Sequence, residues 1–327
     1  GDGDLDAFIG NTDYYGNPEN TIWLNDGNGL LADSGQRLGS SFTWSLALGD
    51  LDGDGDLDAF AANSEVWDPQ PNKVWLNDGY GHYTDNGQIL GNSVSRAVAL
   101  GDLDGDGDLD AFVANGDPGH GGGEPNAVWL NNGSGQFTDS GQALGKAVSR
   151  DVALGDLDGD GDLDAFIANG DSERVFSEAN KVWLNNGYAL FTDSGQNLGA
   201  SISQAVVLGD LDEDGDLDAF VANGGQDMVD GQPDRLWLNS GSALFTDSGH
   251  LMGNDSSFGA AIGDLYADGH LDIFVAAYHG GNRVWLNDGA ANLTLSDPGF
   301  AAESAADVTL GDIDGDGDID ALVANAI

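Results

Sequence analysis

The sequence predicts an all-β fold, a β-propeller of six to seven four-stranded blades with calcium loops between strands A and B. Three observations predict it: an internal repeat, short apolar segments set between turn formers, and the lack of any helical period. The string GDLDGDGDLDAF begins its acidic run at Asp50, Asp102 and Asp156, and recurs with changes from Asp210, Asp264 and Asp312. The spacings are 52, 54, 54, 54 and 48 residues, and residues 1–8 match the second half of the string. A second block reads TIWLNDG around Trp23, KVWLNDG around Trp75 and AVWLNNG around Trp129, with relatives at Trp183, Trp237 and Trp285. A third reads GQFTDSGQALG at 135–145. No stretch of ten or more residues carries a 3.6-residue apolar period. Units of this length that convert into four strands fit a propeller better than a sandwich or an open solenoid.

Each element follows from its residues. Strand A is the apolar stretch before the acids, such as Ala97–Leu100, and strand B follows them, as in Leu109–Asn115. Strand C is Ala127–Asn131 and strand D is Gln136–Asp139. The Asn-Asp-Gly and Asn-Asn-Gly triplets after strand C favour the positive φ of tight hairpins. The V-W-L-N context alternates, so each tryptophan sits on one sheet face and reads as core or inter-blade packing. The units run approximately 1–44, 45–96, 97–150, 151–204, 205–257, 258–306 and a partial 307–327, as one domain. Strand A is missing from the first and strands C and D from the last. Three explanations compete: a longer protein, a six-bladed ring in which the strand before Asp312 joins residues 5–33, or pairing of open ends between molecules.

Acidic residues outnumber basic ones 57 to 9, for a net charge of −48. This excludes nucleic acid, whose binding needs Lys and Arg at phosphates, and an anionic membrane surface. No apolar run approaches the ~18 residues of a membrane span, so no insertion is expected. There is no cysteine, so something other than disulfides must staple the loops. The chain opens inside a repeat, which reads as a processed or partial product.

In Asp50-Leu-Asp-Gly-Asp-Gly-Asp-Leu-Asp58, carboxylates fall at positions 1, 3, 5 and 9, with Gly55 at position 6. A hard cation with six to eight oxygen ligands needs such a convergent set, and glycine permits the sharp turn. Asp56, at position 7, is expected to ligate through its main-chain carbonyl. An EF-hand would need a glutamate at position 12, which is Ala61, and a helix where the residues read as strand. A solvated acidic turn explains one such loop poorly and six at one spacing not at all, since the like charges repel without a cation. The predicted ligands are therefore Asp50, Asp52, Asp54, Asp56 and Asp58; Asp102, Asp104, Asp106, Asp108 and Asp110; and Asp156, Asp158, Asp160, Asp162 and Asp164. To these belong Asp210, Asp212, Asp214, Asp216 and Asp218; Asp264, Asp268 and Asp272; Asp312, Asp314, Asp316, Asp318 and Asp320; and the remnant Asp2, Asp4 and Asp6. They predict about six to seven calcium ions. More than half of the acids lie in these loops, so the charge is largely metal-site chemistry. The Asp264 loop has Tyr266 at position 3 and His270 at position 7, which predicts a weak or empty site.

The DxDGDGxxD loop, followed by a strand with Phe and then a VWLNDG strand, resembles the FG-GAP/VCBS repeat over essentially the whole chain. The resemblance implies an integrin α-subunit-like propeller, secreted or at a cell surface. It implies calcium loops on one face, and B–C and D–A loops on the opposite face, where integrin-like propellers bind ligands. Related propellers serve as adhesion heads, lectins and modules of polysaccharide-degrading enzymes, and fold does not fix function.

The B–C segments vary most, and variable loops on a rigid scaffold are where binding residues concentrate. They carry Tyr14, Tyr15, Trp67, His120, Arg174, Phe176 and Tyr278 as candidate ligand contacts, suited to stacking on sugar rings or anchoring a protein. Packing over neighbouring loops would use the same aromatics. No G-x-S-x-G string, cysteine nucleophile or metal-ligand spacing of the five histidines appears, so no enzyme is expected. The leading expectation is an extracellular calcium-stabilised module that binds a glycan or protein ligand. The alternatives are head-to-tail self-association into a fibre or layer, and an accessory or catalytic module of a polysaccharide-active enzyme.

Overall fold

The computed structural model describes residues 3–12, 18–65, 69–116, 122–170, 178–224, 231–296, 300 and 304–325. The chain divides into two compact units: 1–152 with 185–191 and 313–315, and 153–184 with 192–312 and 316–327. Among the described residues all regular structure is β, and no helix is long and apolar enough to cross a membrane.

The first unit opens with a three-stranded sheet of β1 (Ala7–Ile9), β2 (Asn20–Asn25) and β3 (Leu31–Leu38). A four-stranded sheet follows, of β4 (Thr43–Gly49), β5 (Asp58–Asn63), β6 (Lys73–Asn77) and β7 (Tyr83–Asp85). The next holds β8 (Ser95–Gly101), β9 (Asp110–Asn115), β10 (Ala127–Leu130) and β11 (Thr138–Asp139). The second unit takes the following sheet, of β12 (Ser149–Gly155, whose first four residues are grouped with the first unit), β13 (Asp164–Asn169), β14 (Glu178–Leu184) and β15 (Thr192–Asp193), with β16 (Leu198–Ser201) also paired to β14. In the second unit come β17 (Ser203–Gly209), β18 (Asp218–Asn223), β19 (Asp234–Leu238) and β20 (Thr246–Met252). After them are β21 (Ser256–Gly263), β22 (Asp272–His279), β23 (Arg283–Leu286) and β24 (Thr294–Ser296), and a two-stranded sheet of β25 (Ala305–Gly311) and β26 (Asp320–Asn325). Within each sheet, successive strands pair antiparallel, as short hairpins allow.

The second strand of each repeat, read D-A-F-x-A-N, is apolar on both faces and is buried throughout β5, β9, β13 and β18. Near-continuous apolar runs are what a strand covered on both sides requires. Phe60, Phe112 and Phe166 are fully buried and meet Phe137, Phe191 and Phe245 of the following repeat edge to face, at 5.2–5.3 Å. Each such pair contributes about 0.5–1.5 kcal/mol beyond its area. The tryptophans do pack as core. Trp75, Trp129, Trp183 and Trp237 lie opposite Ala59, Ala111, Ala165 and Ala219, whose small side chains leave room for the indole. Trp75 also covers Gly39 of the preceding repeat so closely that a Cβ there would stand 3.2 Å from the ring.

Among the described residues, the strand before Asp312, which one of the three alternatives assigned to residues 5–33, pairs within its own repeat: β25 pairs with β26, Gly311 opposite Asp320, because the Asp312 loop turns the chain straight back on itself. The described residues of the first repeat give three strands and those of the last give two, in line with the strands missing from the sequence, while β16 adds a strand that the four-strand pattern lacks.

Candidate metal centres

Each acidic loop links the first two strands of its sheet, and its aspartates divide the work by position. Position 1 closes the turn: Asp50 accepts from the amides of Gly53 at 2.8 Å and Gly55 at 3.1 Å, and Asp102 and Asp156 do the same one and two repeats on. Both glycines carry positive φ, 80° at Gly53 and 92° at Gly55, which lets their amides face the carboxylate. Position 5 accepts from the position-7 amide, as Asp54 does from Asp56 at 3.0 Å. Position 9 is the anchor. Asp58 is fully buried and accepts from Leu51 N at 3.0 Å and Asn77 N at 2.7 Å, tying loop and third strand together.

Positions 1, 3 and 9 converge. Asp50, Asp52 and Asp58 each offer an oxygen within 4.8 Å of the others, as do Asp102, Asp104 and Asp110, Asp156, Asp158 and Asp164, and Asp210, Asp212 and Asp218. In the last loop the converging residues are Asp312, Asp314 and Asp316. Burial raises the position-3 carboxyls of Asp52, Asp104, Asp158 and Asp212, with neighbouring carboxylates adding to it. Burial lifts Asp110 and Asp218 to about 6, against the pull of their backbone hydrogen bonds. Asp52 Oδ1, Asp210 Oδ1 and Asp212 Oδ1 are buried with no hydrogen-bond partner among the described residues. Orphaned, desolvated carboxylate oxygens in an oxygen-only donor set fit a hard divalent cation such as calcium.

The remaining predicted residues are placed differently. In the first four groups position 5 is not part of the cluster. The position-7 side chains of Asp4, Asp56, Asp108 and Asp216 instead lie against the turn glycines Gly27, Gly79, Gly133 and Gly241. Asp6 accepts from Asn25 N at 2.9 Å, as a position-9 residue does. Asp264, Asp268 and Asp272 form no such group among the described residues: Tyr266 is 55% exposed and its hydroxyl meets Ser296 Oγ at 3.1 Å. Asp2, Tyr14, Tyr15, Trp67, His120, Arg174 and Phe176 lie outside the described residues. Tyr278, at the end of β22, packs on Phe258 at 5.3 Å and on His279 at 4.8 Å.

Two features escape the sequence reading. The W-L-N asparagine is more than a turn former. Asn131 Nδ2 donates to Leu51 O of the preceding loop at 2.9 Å, which Gly135 N also reaches at 2.7 Å. Asn239 and Asn287 repeat this on Leu157 and Leu211 at 2.9 and 2.8 Å. At the other end of the sheets, the register of the first strand shifts around Trp44, Arg96, Gln204 and Phe258. A bulge re-aims the side chain it carries. Trp44 Nε1 donates to Ser64 O and Gln204 Nε2 to Gly224 O, both at 2.7 Å, and the Arg96 guanidinium sits 4.2 Å over the Trp44 ring.

The sequence profile of the FG-GAP-like repeat matches six overlapping stretches, 1–61, 50–113, 102–167, 156–221, 210–275 and 264–323. No curated protein matches the chain in sequence. Among solved structures, BBS1N in complex with ARL6DN, soaked with mercury, is similar at 13% identity and a TM-score of 0.56, covering 98% of this chain and 93% of that one. The lead-soaked crystal of the same complex gives a TM-score of 0.55 with the same identity and coverage. At this identity the likeness concerns the fold alone.

Proposed function

Because the chain belongs to the FG-GAP-like repeat family, we propose that it is a calcium-stabilised β-propeller that works outside the cell. In this reading it binds glycans or other surface ligands through the loops joining second and third strands. The observation that carries the proposal is a division along each sheet. The chemistry repeats at the acidic-loop end, where carboxylate positions 1, 3 and 9 converge in four of the loops. It varies at the other, where the bulge position is Trp44, Arg96, Gln204 or Phe258 between the smaller residues Thr43 and Ser45, Ser95 and Ala97, Ser203 and Ala205, and Ser257 and Gly259. A constant frame with one variable end suits recognition. Extracellular calcium modules bind at ~10⁻⁴–10⁻³ M, and this reading expects the converging loops to fill in that range.

A glycan-array screen in millimolar calcium, repeated in chelator, tests the proposal. Calcium-dependent retention of a defined sugar class is the expected result, weakened by Trp44→Ala. A blank array from folded, calcium-loaded protein would count against glycan recognition. Polymers seen by electron microscopy in the same sample would favour self-assembly instead.

A further inference from the structure

We infer that the loop from Asp264 to Asp272 is closed by a side-chain pair, Glu213 with His270, and does without the cation that closes its sister loops. The inference rests on the calcium reading of those sister loops. Four observations lead to it.

The loop has lost the means to hold an ion. Tyr266 replaces the position-3 carboxylate and turns outward to Ser296. Its frame is nevertheless intact: Asp264 accepts from Asp268 N and Gly269 N, both at 3.0 Å, and buried Asp272 accepts from Leu265 N at 3.1 Å and Asn287 N at 3.0 Å. His270 Nδ1 lies 2.5 Å from Glu213 Oε1, which belongs to the neighbouring acidic loop. The pair is seated where position-7 aspartates lie elsewhere, since a Cβ on Gly289 would collide with both the imidazole and Glu213 Oε1.

Glu213 occupies a position that disfavours it. Its φ is 60°, where Gly53, Gly105, Gly159 and Gly315 stand in other loops. A glutamate in left-handed backbone needs compensation from its surroundings, and the contact with His270 supplies it. The substitution also leaves Asp210 Oδ1 without the amide that position 4 gives in the Asp50 loop, so that oxygen stays available to a cation in the Asp210 loop. One residue thus serves two loops: it leaves the first a free ligand oxygen and closes the second without an ion.

Hydrogen exchange of the full chain, with calcium and in excess chelator, tests this. Chelation should speed exchange at 50–58, 102–110 and 210–218 and change it less than about twofold at 264–272. Glu213→Gln should speed exchange at 264–272 about two- to fivefold in both conditions, the range of a partly exposed ion pair, with no loss of bound calcium. The double variant Tyr266→Asp, His270→Asp should bind one calcium more than wild type. A 264–272 response to chelation like that of its sisters would overturn the inference. So would unchanged exchange in Glu213→Gln, calcium loss in that variant, or an unchanged count in the double variant. If no loop responds to chelation, it is the calcium reading itself that fails.

Discussion

The side-chain amide of Asn25 donates to the carbonyl oxygen of Ile313 at 2.7 Å, joining residues 288 positions apart. Asn131 makes the same bond to Leu51 and Asn185 to Leu103, each with the acidic loop one repeat earlier. Asn25 therefore stands to the last acidic loop as Asn131, Asn185, Asn239 and Asn287 stand to the loop before their own, whereas Asn77 donates to Leu57 O of its own loop. In each bond between repeats the acceptor is the residue between the first two aspartates, so the bond fixes the backbone from which converging carboxylates project.

Replacing Asn131 by alanine tests the weight of this link. Leu51 O keeps the amide of Gly135, so the carbonyl is not orphaned, but Asn132 N loses the Asn131 Oδ1 acceptor at 2.9 Å. A loss of about 1–2 kcal/mol is expected in urea unfolding. Asn25→Ala should cost a similar amount if its bond to Ile313 is equivalent. A neutral Asn25→Ala beside a destabilising Asn131→Ala would set the two apart.

The acidic loops differ in what they should bind. Asp104 belongs to a converging triad, whereas Asp264 caps its own turn beside Tyr266. Asp104→Ala should remove one calcium per chain and Asp264→Ala none, as counted by elemental analysis of desalted protein. Chelation should lower the melting temperature, because ions that bind only the folded state add RT ln(1 + [L]/Kd), about 2.7 kcal/mol per site at a hundredfold excess over Kd. Equal calcium losses in both variants, or an unmoved melting temperature, would contradict this.

Much of this was legible in the residues. The Asp and Gly spacing announced the loops and the strands around them, and Tyr266 announced the loop that fails to converge. The period-two reading of V-W-L-N placed the tryptophans in the core. What stayed hidden depends on partners far apart in sequence. Nothing near Asn131 signals a bond to Leu51, and nothing near Glu213 signals His270. A bulge such as that at Trp44 adds one residue to one strand, too small a change for apolar periodicity to register. Where the position-7 side chain goes was hidden in the same way: the sequence assigns Asp56 a main-chain role, and only the fold shows its side chain packed on the turn glycine Gly79.

Asp234 gives the last prediction. It opens β19 where other repeats place an asparagine, such as Asn72 and Asn126, and it is almost fully buried. It accepts from Asn223 N at 2.8 Å and Ser257 Oγ at 3.0 Å. Burial pushes its carboxyl up to about 8, against those hydrogen bonds; Asp255 nearby raises it further and Arg283, paired with Asp255, opposes. A carboxyl raised above its unfolded value of ~3.9 contributes stability fully below that pH, and the contribution is lost as pH rises through the folded value. Wild type should therefore lose roughly 2–3 kcal/mol between pH 6 and 8 from this group alone. Asp234→Asn removes the titration and restores the repeat's own residue, whose amide can donate to the hydroxyl as Asn20 Nδ2 does to Thr43 Oγ1 at 2.9 Å. The variant should be the more stable protein at pH 8, with an advantage that shrinks toward pH 6. Urea unfolding of both proteins at several pH values in saturating calcium measures the gap, and a gap that does not vary with pH would mean that Asp234 does not titrate in this range.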